Sequence, residues 1–234
     1  LTTYRKQLKK HFIDVLGLAE LEKNTYTGFY TTVTNFSSDL MGFDNLQAGA
    51  LRPWEGTGSY YEEPHLASFL GRVNYTYDDR YVLTVNARTD ASSKFGANHK
   101  WGFFPSVSAA WNVSSEQFMK HITWIDNLKL RLGYGLAGNQ GGIDSYTTMN
   151  LVRPNGVAPV GNSPVVTYET LRNINPDLKW EVKHTFNAGF DVGFYGNRLL
   201  LSVNYYNSKT TDMLYNYRVS VPPFTYNTLL ANIG

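Results

Sequence analysis

Between Lys179 and Tyr195 apolar and polar residues alternate with almost no slips. Trp180, Val182, Phe186, Ala188, Phe190, Val192 and Phe194 fall on one face. Lys179, Glu181, Lys183, Thr185, Asn187 and Asp191 fall on the other. Gly196-Asn197 predicts a tight turn. On the return, Leu199, Leu201, Val203 and Tyr205 alternate with Ser202, Asn204, Tyr206 and Ser208. A period of two predicts a β-hairpin whose faces meet unlike surroundings. With Tyr195 opposite Arg198, the register places Phe186 opposite Asn207 and His184 opposite Lys209. Both strands then lose their apolar face at one level. About nine residues per strand separate that level from the turn, close to the roughly 9–11 that cross a bilayer. No Lys or Arg of the hairpin interrupts its apolar face inside that band.

The same period recurs upstream. A first strand is expected from about Lys10 to Asn24, then a long polar and Gly-containing loop over about 25–65. Phe69, Val73, Tyr75 and Tyr77 alternate with Arg72, Asn74 and Thr76 up to a tight turn at Asp78-Asp79. Tyr81, Leu83, Val85 and Ala87 alternate with Thr84, Asn86, Arg88 and Asp90. A short loop, Ser93 to Lys100, leads to a strand with Trp101, Phe103, Val107, Ala109, Trp111 and Val113 on one face. Pro105 interrupts it, and because Pro removes a ladder hydrogen bond a bulge is expected there. Ser114-Ser115-Glu116-Gln117 predicts a capped helical turn through Met119. Leu128 to Leu136 alternates again, a Gly/Pro/Asn-rich loop fills about 139–178, and Val219–Gly234 reads as a Pro-broken tail.

The fold class is therefore all-β, with about seven antiparallel strands. Links are short on one side and mostly long on the other. Aromatic residues form two groups: Tyr75, Tyr77, Tyr81, Trp111, Phe194 and Tyr195 beside the short turns, and Trp101, Phe103 and Trp180 towards the long loops. Sorted loops and two aromatic girdles predict a transmembrane β-barrel.

Composition narrows the functions. The 234 residues include no cysteine, so disulfides and thiolate metal sites are excluded. A net charge of +2 gives no case for nucleic acid. No run of roughly 18 apolar residues occurs, so no membrane helix is expected, which does not bear on a barrel. The polar opening Leu1–Lys6 does not read as a signal peptide, so a processed start or an internal piece is expected.

Gly133, Gly135 and Gly138 spell a dinucleotide-type pattern, but Asn139-Gln140-Gly141-Gly142 is a poor helix start. A strand running into a Gly-rich loop is the better reading. The five histidines show no metal-ligand spacing, and the pairs Asp78-Asp79 and Glu62-Glu63 point to opposite faces if extended. Nothing points to an enzyme, a cofactor or a metal. The inward face is polar, with Arg72, Asn74, Asn86, Arg88, Asp90, Lys129, Arg131, Lys183 and Asp191, and suits a wet lumen. In the loops, Tyr146, Asn155, Asn162 and Tyr168 can stack on and hydrogen-bond sugars or peptides, although ordinary loop composition explains any one of them.

Longer motifs now stand out. Arg88-Thr-Asp90-Ala-Ser92-Ser93-Lys-Phe95-Gly96, then Trp101-Gly102-Phe-Phe104-Pro105-Ser106 and Ala110-Trp111, resemble a barrel segment of the SusC/RagA-type TonB-linked outer-membrane transporters. Leu128-Lys-Leu130-Arg131-Leu-Gly133-Tyr-Gly135 with Gly138-Asn139-Gln140 is similar to the next segment. Asn175-Pro176-Asp177-Leu178-Lys179-Trp180-Glu181 and Tyr205-Tyr206-Asn207-Ser-Lys209-Thr210-Thr211-Asp212 resemble the one after. Ala91 departs from the family, which often has Gly there. The resemblance implies a plugged barrel of about 22 strands. It implies TonB-dependent import of oligosaccharides, or peptides, across the outer membrane of a Gram-negative bacterium. The implied partners are a SusD-like surface lipoprotein, the TonB–ExbB–ExbD complex and outer-membrane lipid. This chain would be an arc of that barrel, residues 1–234, with the plug, the TonB box and the closing strand outside it. A siderophore- or cobalamin-type receptor and a soluble carbohydrate-binding β-sandwich remain as alternatives.

Overall fold

The computed structural model describes residues 1–40, 42–53 and 56–234. The described residues form sixteen strands in chain order. They are β1 (Thr2–Leu8), β2 (His11–Lys23), β3 (Tyr26–Thr31), β4 (Thr34–Phe36), β5 (Gly49–Leu51), β6 (Thr57–Glu62), β7 (His65–Tyr77) and β8 (Tyr81–Ser92). Then come β9 (Trp101–Asn112), β10 (Ile125–Asn139), β11 (Val152–Val160), β12 (Ser163–Thr170), β13 (Glu181–Phe194), β14 (Leu199–Thr211), β15 (Met213–Arg218) and β16 (Thr228–Ile233). Eight of them form one antiparallel sheet in the order β1-β2-β7-β8-β9-β10-β13-β14.

The register sorts side chains by chemistry across the sheet. One row runs Val15–Val73–Val85–Val107–Tyr134–Phe186, and the next Ile13–Tyr75–Leu83–Ala109–Leu132–Ala188–Tyr205. On the opposite face a row runs Asn74–Thr84–Ser108–Gly133–Asn187. A slip of one residue would send every polar side chain to the apolar face, so the two-faced pattern itself fixes the pairing. Phe186 opposes Asn207 and His184 opposes Lys209, as the alternation requires. Lys6 of the edge strand β1 also falls on the apolar face, opposite Ile13. It lies near its turn, where a long side chain reaches water. The rows climb relative to the turns. The one starting at Leu8–His11 reaches Phe190, four positions short of the last β13–β14 pair, Phe194–Leu199. Such stagger is what tilted barrel strands produce.

The short turns carry left-handed residues at Lys9, Asp78, Asp79, Tyr195 and Asn197, with Gly196 between the last two. The β13–β14 link is four residues, Tyr195–Arg198. Asp126 accepts the Gly196 and Asn197 amides at 2.7 and 3.1 Å, which satisfies the donors the turn exposes. Above these turns stands an aromatic band: Tyr81 stacks on Tyr77 and Trp111 at 6.4 and 6.2 Å, and Trp124 on Phe194 at 5.7 Å.

Several expectations are corrected. The sheet has eight strands rather than about seven, because the polar opening is β1, tied to β2 by the Arg5–Asp14 ion pair at 3.2 Å. Pro105 makes no bulge. The β8–β9 register runs straight through Ala87–Pro105, and the β9–β10 ladder stops one residue away, at Ser106–Gly135. Residues 114–117 cap nothing: two 3₁₀ turns, Val113–Ser115 and Gln117–His121, lack side-chain caps. Glu116 instead receives Tyr81 Oη (2.7 Å), Trp111 Nε1 (3.2 Å) and Arg80 Nη1 (3.0 Å), which hold its carboxyl below the usual range. The long loops and the tail are built from two-stranded ribbons: β3–β6, β4–β5, β11–β12 and β15–β16.

Trp180 is the largest correction. It is 7% exposed, whereas Trp101 is 58% exposed, so it does not belong to a girdle. β13 begins at Glu181, and the alternation does not extend back to Trp180. Its ring packs at 4.6 Å on Phe95 and 5.4 Å on Phe104, with Ile143 and Leu178, over the polar face. This knot pins the 93–100 loop and the 140–180 segment to the wall. It needs glycine at 96, where a Cβ would stand 1.7 Å from the Pro176 carbonyl oxygen.

Candidate solute-binding site

The polar face is a connected hydrogen-bond surface. Arg88 Nε reaches both Asp90 oxygens at 2.9 and 2.8 Å. Arg131 grips Asp191 through Nε and Nη2, both at 2.8 Å, and reaches Asn204 at 3.0 Å. Thr84 donates to Asn74 Oδ1 at 2.8 Å. The charges are thus paired, Arg88 with Asp90 along β8 and Arg131 with Asp191 across β10 and β13, which leaves a hydrophilic wall of low net charge.

At the long-loop end, the ribbons β3–β6 and β11–β12 enclose a cleft of about 790 Å³. Its lining includes Tyr30, Arg153, Pro154, Asn155, Tyr168 and Glu169. Register explains the grouping, because Pro154 opposes Tyr168 and Arg153 opposes Glu169. Arg153 and Asn155 donate to the two Glu169 oxygens at 2.7 and 2.8 Å. Tyr30 and Tyr168 are 53% and 65% exposed, so both rings are open to a solute. Two accessible aromatic faces around fixed polar groups suit a ring-bearing or peptide ligand.

Of the four residues singled out in the sequence, Asn155 and Tyr168 share this cleft. Asn162 lies apart, in the exposed β11–β12 turn. Tyr146, half-buried in a left-handed conformation, accepts the Glu63 backbone N–H at 2.9 Å. The sequence reading missed Tyr30, Arg153 and Glu169. The Arg153–Glu169 pair is visible once the ribbon is recognised, but no sequence signal brings Tyr30 to it.

Glu63 ties the two loop systems together. Its carboxylate accepts Tyr61 Oη, Lys23 Nζ at 2.9 Å and His65 Nε2 at 3.0 Å. These donors, Tyr61 foremost, hold its carboxyl down at about 2 from an ordinary 4.5. A depressed carboxylate lends support that is complete above its ordinary value and is lost as pH falls through the lowered one. The end of the 25–65 loop is therefore expected to stay anchored to β2 at pH 5 and to loosen towards pH 2. Glu63→Gln loosens that loop from β2 already at pH 7, read as faster hydrogen exchange in residues 60–66, whereas the backbone bond to Tyr146 is kept. Equal exchange in variant and wild type at pH 7 would show that the contact does not hold the loop.

Such a sheet, apolar on one face and hydrophilic on the other, with ribbons over one end, is an arc of an outer-membrane β-barrel. The chain belongs to the TonB dependent receptor-like β-barrel family, which matches residues 3–234. It is 37% identical over 214 residues to TonB-dependent receptor P3 of Formosa agariphila, covering 91% of this chain and 21% of that protein. It is 34% identical over 200 residues to TonB-dependent receptor SusC of Bacteroides thetaiotaomicron, covering 77% and 20%. Among solved structures, the RagAB peptide importer in its closed-closed state superposes with a TM-score of 0.82 at 26% identity, over 99% of this chain and 25% of that one. The chain thus spans about a fifth of the curated relatives. The resemblance to SusC/RagA-type receptors holds, and the soluble β-sandwich is overturned.

Proposed function

We propose that the chain forms part of the wall and extracellular loops of an importer that brings oligosaccharides across the outer membrane under TonB control. The tyrosine-lined cleft carries this reading, because it joins open aromatic faces to fixed hydrogen-bonding groups at the long-loop end. On this reading the short turns face the periplasm, the apolar rows meet lipid and the polar rows line the lumen. His184 and Lys209, opposite each other above the apolar rows, mark the outer headgroup level. The loops receive solute together with a SusD-like lipoprotein, and the TonB–ExbB–ExbD complex acts through regions outside residues 1–234. Peptides are the second reading, favoured by the likeness to a structure described as a peptide importer.

The test uses the full-length protein with its lipoprotein. Deletion of the gene is expected to abolish growth on one class of oligosaccharide while sparing the corresponding monosaccharide. Tyr168→Ala is expected to weaken binding of that oligosaccharide about tenfold. Unchanged growth on every glycan, with lost growth on peptides, would replace the first reading by the second. Unchanged growth on both would overturn import of either.

A further inference from the structure

A second cavity, about 690 Å³, opens on the polar face and shares no lining residue with the loop cleft. Its volume falls within the roughly 300–1,000 Å³ of small-molecule sites. One side is apolar, with Phe104 and Trp180 among its walls, and the Trp180 indole N–H is already given to the Lys100 carbonyl at 3.0 Å. The other side carries Arg72, Arg88 and Asp90.

The charges there do not cancel. Asp90 is spent on Arg88 through both carboxylate oxygens. Arg72 makes no ion pair among the described residues. It is nevertheless held in place, because its Nε donates to Asn86 Oδ1 at 2.6 Å and Asn86 Nδ2 donates on to Ser106 Oγ at 3.0 Å. That chain fixes Asn86 as an acceptor towards Arg72. It leaves both terminal nitrogens of the guanidinium without a protein acceptor among the described residues. A positioned guanidinium with a free edge is built to take a planar two-oxygen anion by paired hydrogen bonds.

We infer that this cavity is a luminal subsite for a solute carrying a carboxylate beside an apolar or ring body, with Arg72 holding the acid. The acid is either a uronate of an oligosaccharide or the free carboxyl end of a peptide. The inference rests on the reading of the chain as an importer wall. Loss of the Tyr168 effect tests that reading separately, because Tyr168 does not line this cavity.

The experiment is calorimetric titration of the full-length transporter in detergent with four probes. These are trigalacturonate, its fully methyl-esterified form, an N-acetylated tripeptide with a free carboxyl end and the same N-acetylated tripeptide amidated. One acid is expected to bind about tenfold more tightly than its neutral counterpart, and Arg72→Gln is expected to remove that margin. The neutral probe keeps its affinity in the variant. The pair that shows the margin names the source of the acid. Arg72→Lys keeps the charge without the planar fork, so it loses part of the margin and serves if Arg72→Gln does not fold. The inference is overturned if neither acid outbinds its neutral counterpart, or if the margin survives intact in the variants.

Discussion

Replacing Ala188 by Arg is expected to destabilise the assembled barrel by roughly 2–4 kcal/mol, the cost of a cation on the lipid face at the bilayer midplane. Ala188 lies between Leu132 and Tyr205 in an apolar row that crosses seven strands. If that row meets lipid, as proposed, no water reaches such a site without thinning the membrane. The adjacent Asn187 points to the polar face, opposite Gly133 and Tyr206, so Asn187→Arg is expected to cost little. Denaturant titration of the full-length protein in bilayers, read by heat-modifiable gel migration, separates the two. Equal losses at 187 and 188 would mean that the faces are not differently solvated.

Gly96→Ala is expected to loosen the loops at the barrel mouth with an effect at or above the usual overpacking range of about 1–3 kcal/mol. The added Cβ would meet the Pro176 carbonyl oxygen at 1.7 Å and its carbon at 2.8 Å. The obstacle is backbone, so no rotamer change relieves it. Phe95, beside it, is 1% exposed and packs at a tilt on Trp180, so separating the two backbones also opens the knot. Gly17→Ala is the control, because nothing lies within 4 Å of its Cβ. Protease cleavage within residues 140–180, followed against temperature, should begin well below the wild-type temperature in Gly96→Ala and near it in Gly17→Ala. Matching onsets in all three proteins would remove the knot from the account.

The hairpin register was legible because period two and a short turn leave one pairing that keeps Phe186 and Phe190 away from Asn187 and Asp191. β1 was not legible. Its residues, Thr2–Leu8, hold few apolar positions, and its extension comes from the partner strand, through a ladder and the Arg5–Asp14 pair. The ribbon β11–β12 was hidden by Pro154, Pro159 and Pro164, which argue against a strand yet sit without harm in an isolated two-stranded ladder. Trp180 was misplaced because alternation says nothing beyond the strand that generates it. Asn155 and Tyr168 were found as residue types, and the ribbon register accounts for their meeting. Tyr30 joins them from a separate loop more than a hundred residues away, a juxtaposition that local pattern does not encode.

The central claim is that the Phe/Val/Leu face of the sheet meets lipid and the Asn/Arg/Asp face meets water. The segment contains no native cysteine, which suits single-site labelling. Spin labels placed one at a time at positions 187 and 188 of the full-length protein in bilayers test it most directly. Label 188 is expected to relax with lipid-soluble oxygen and to ignore a water-soluble nickel chelate, and label 187 to do the reverse. A water-exposed label at 188 would contradict the account.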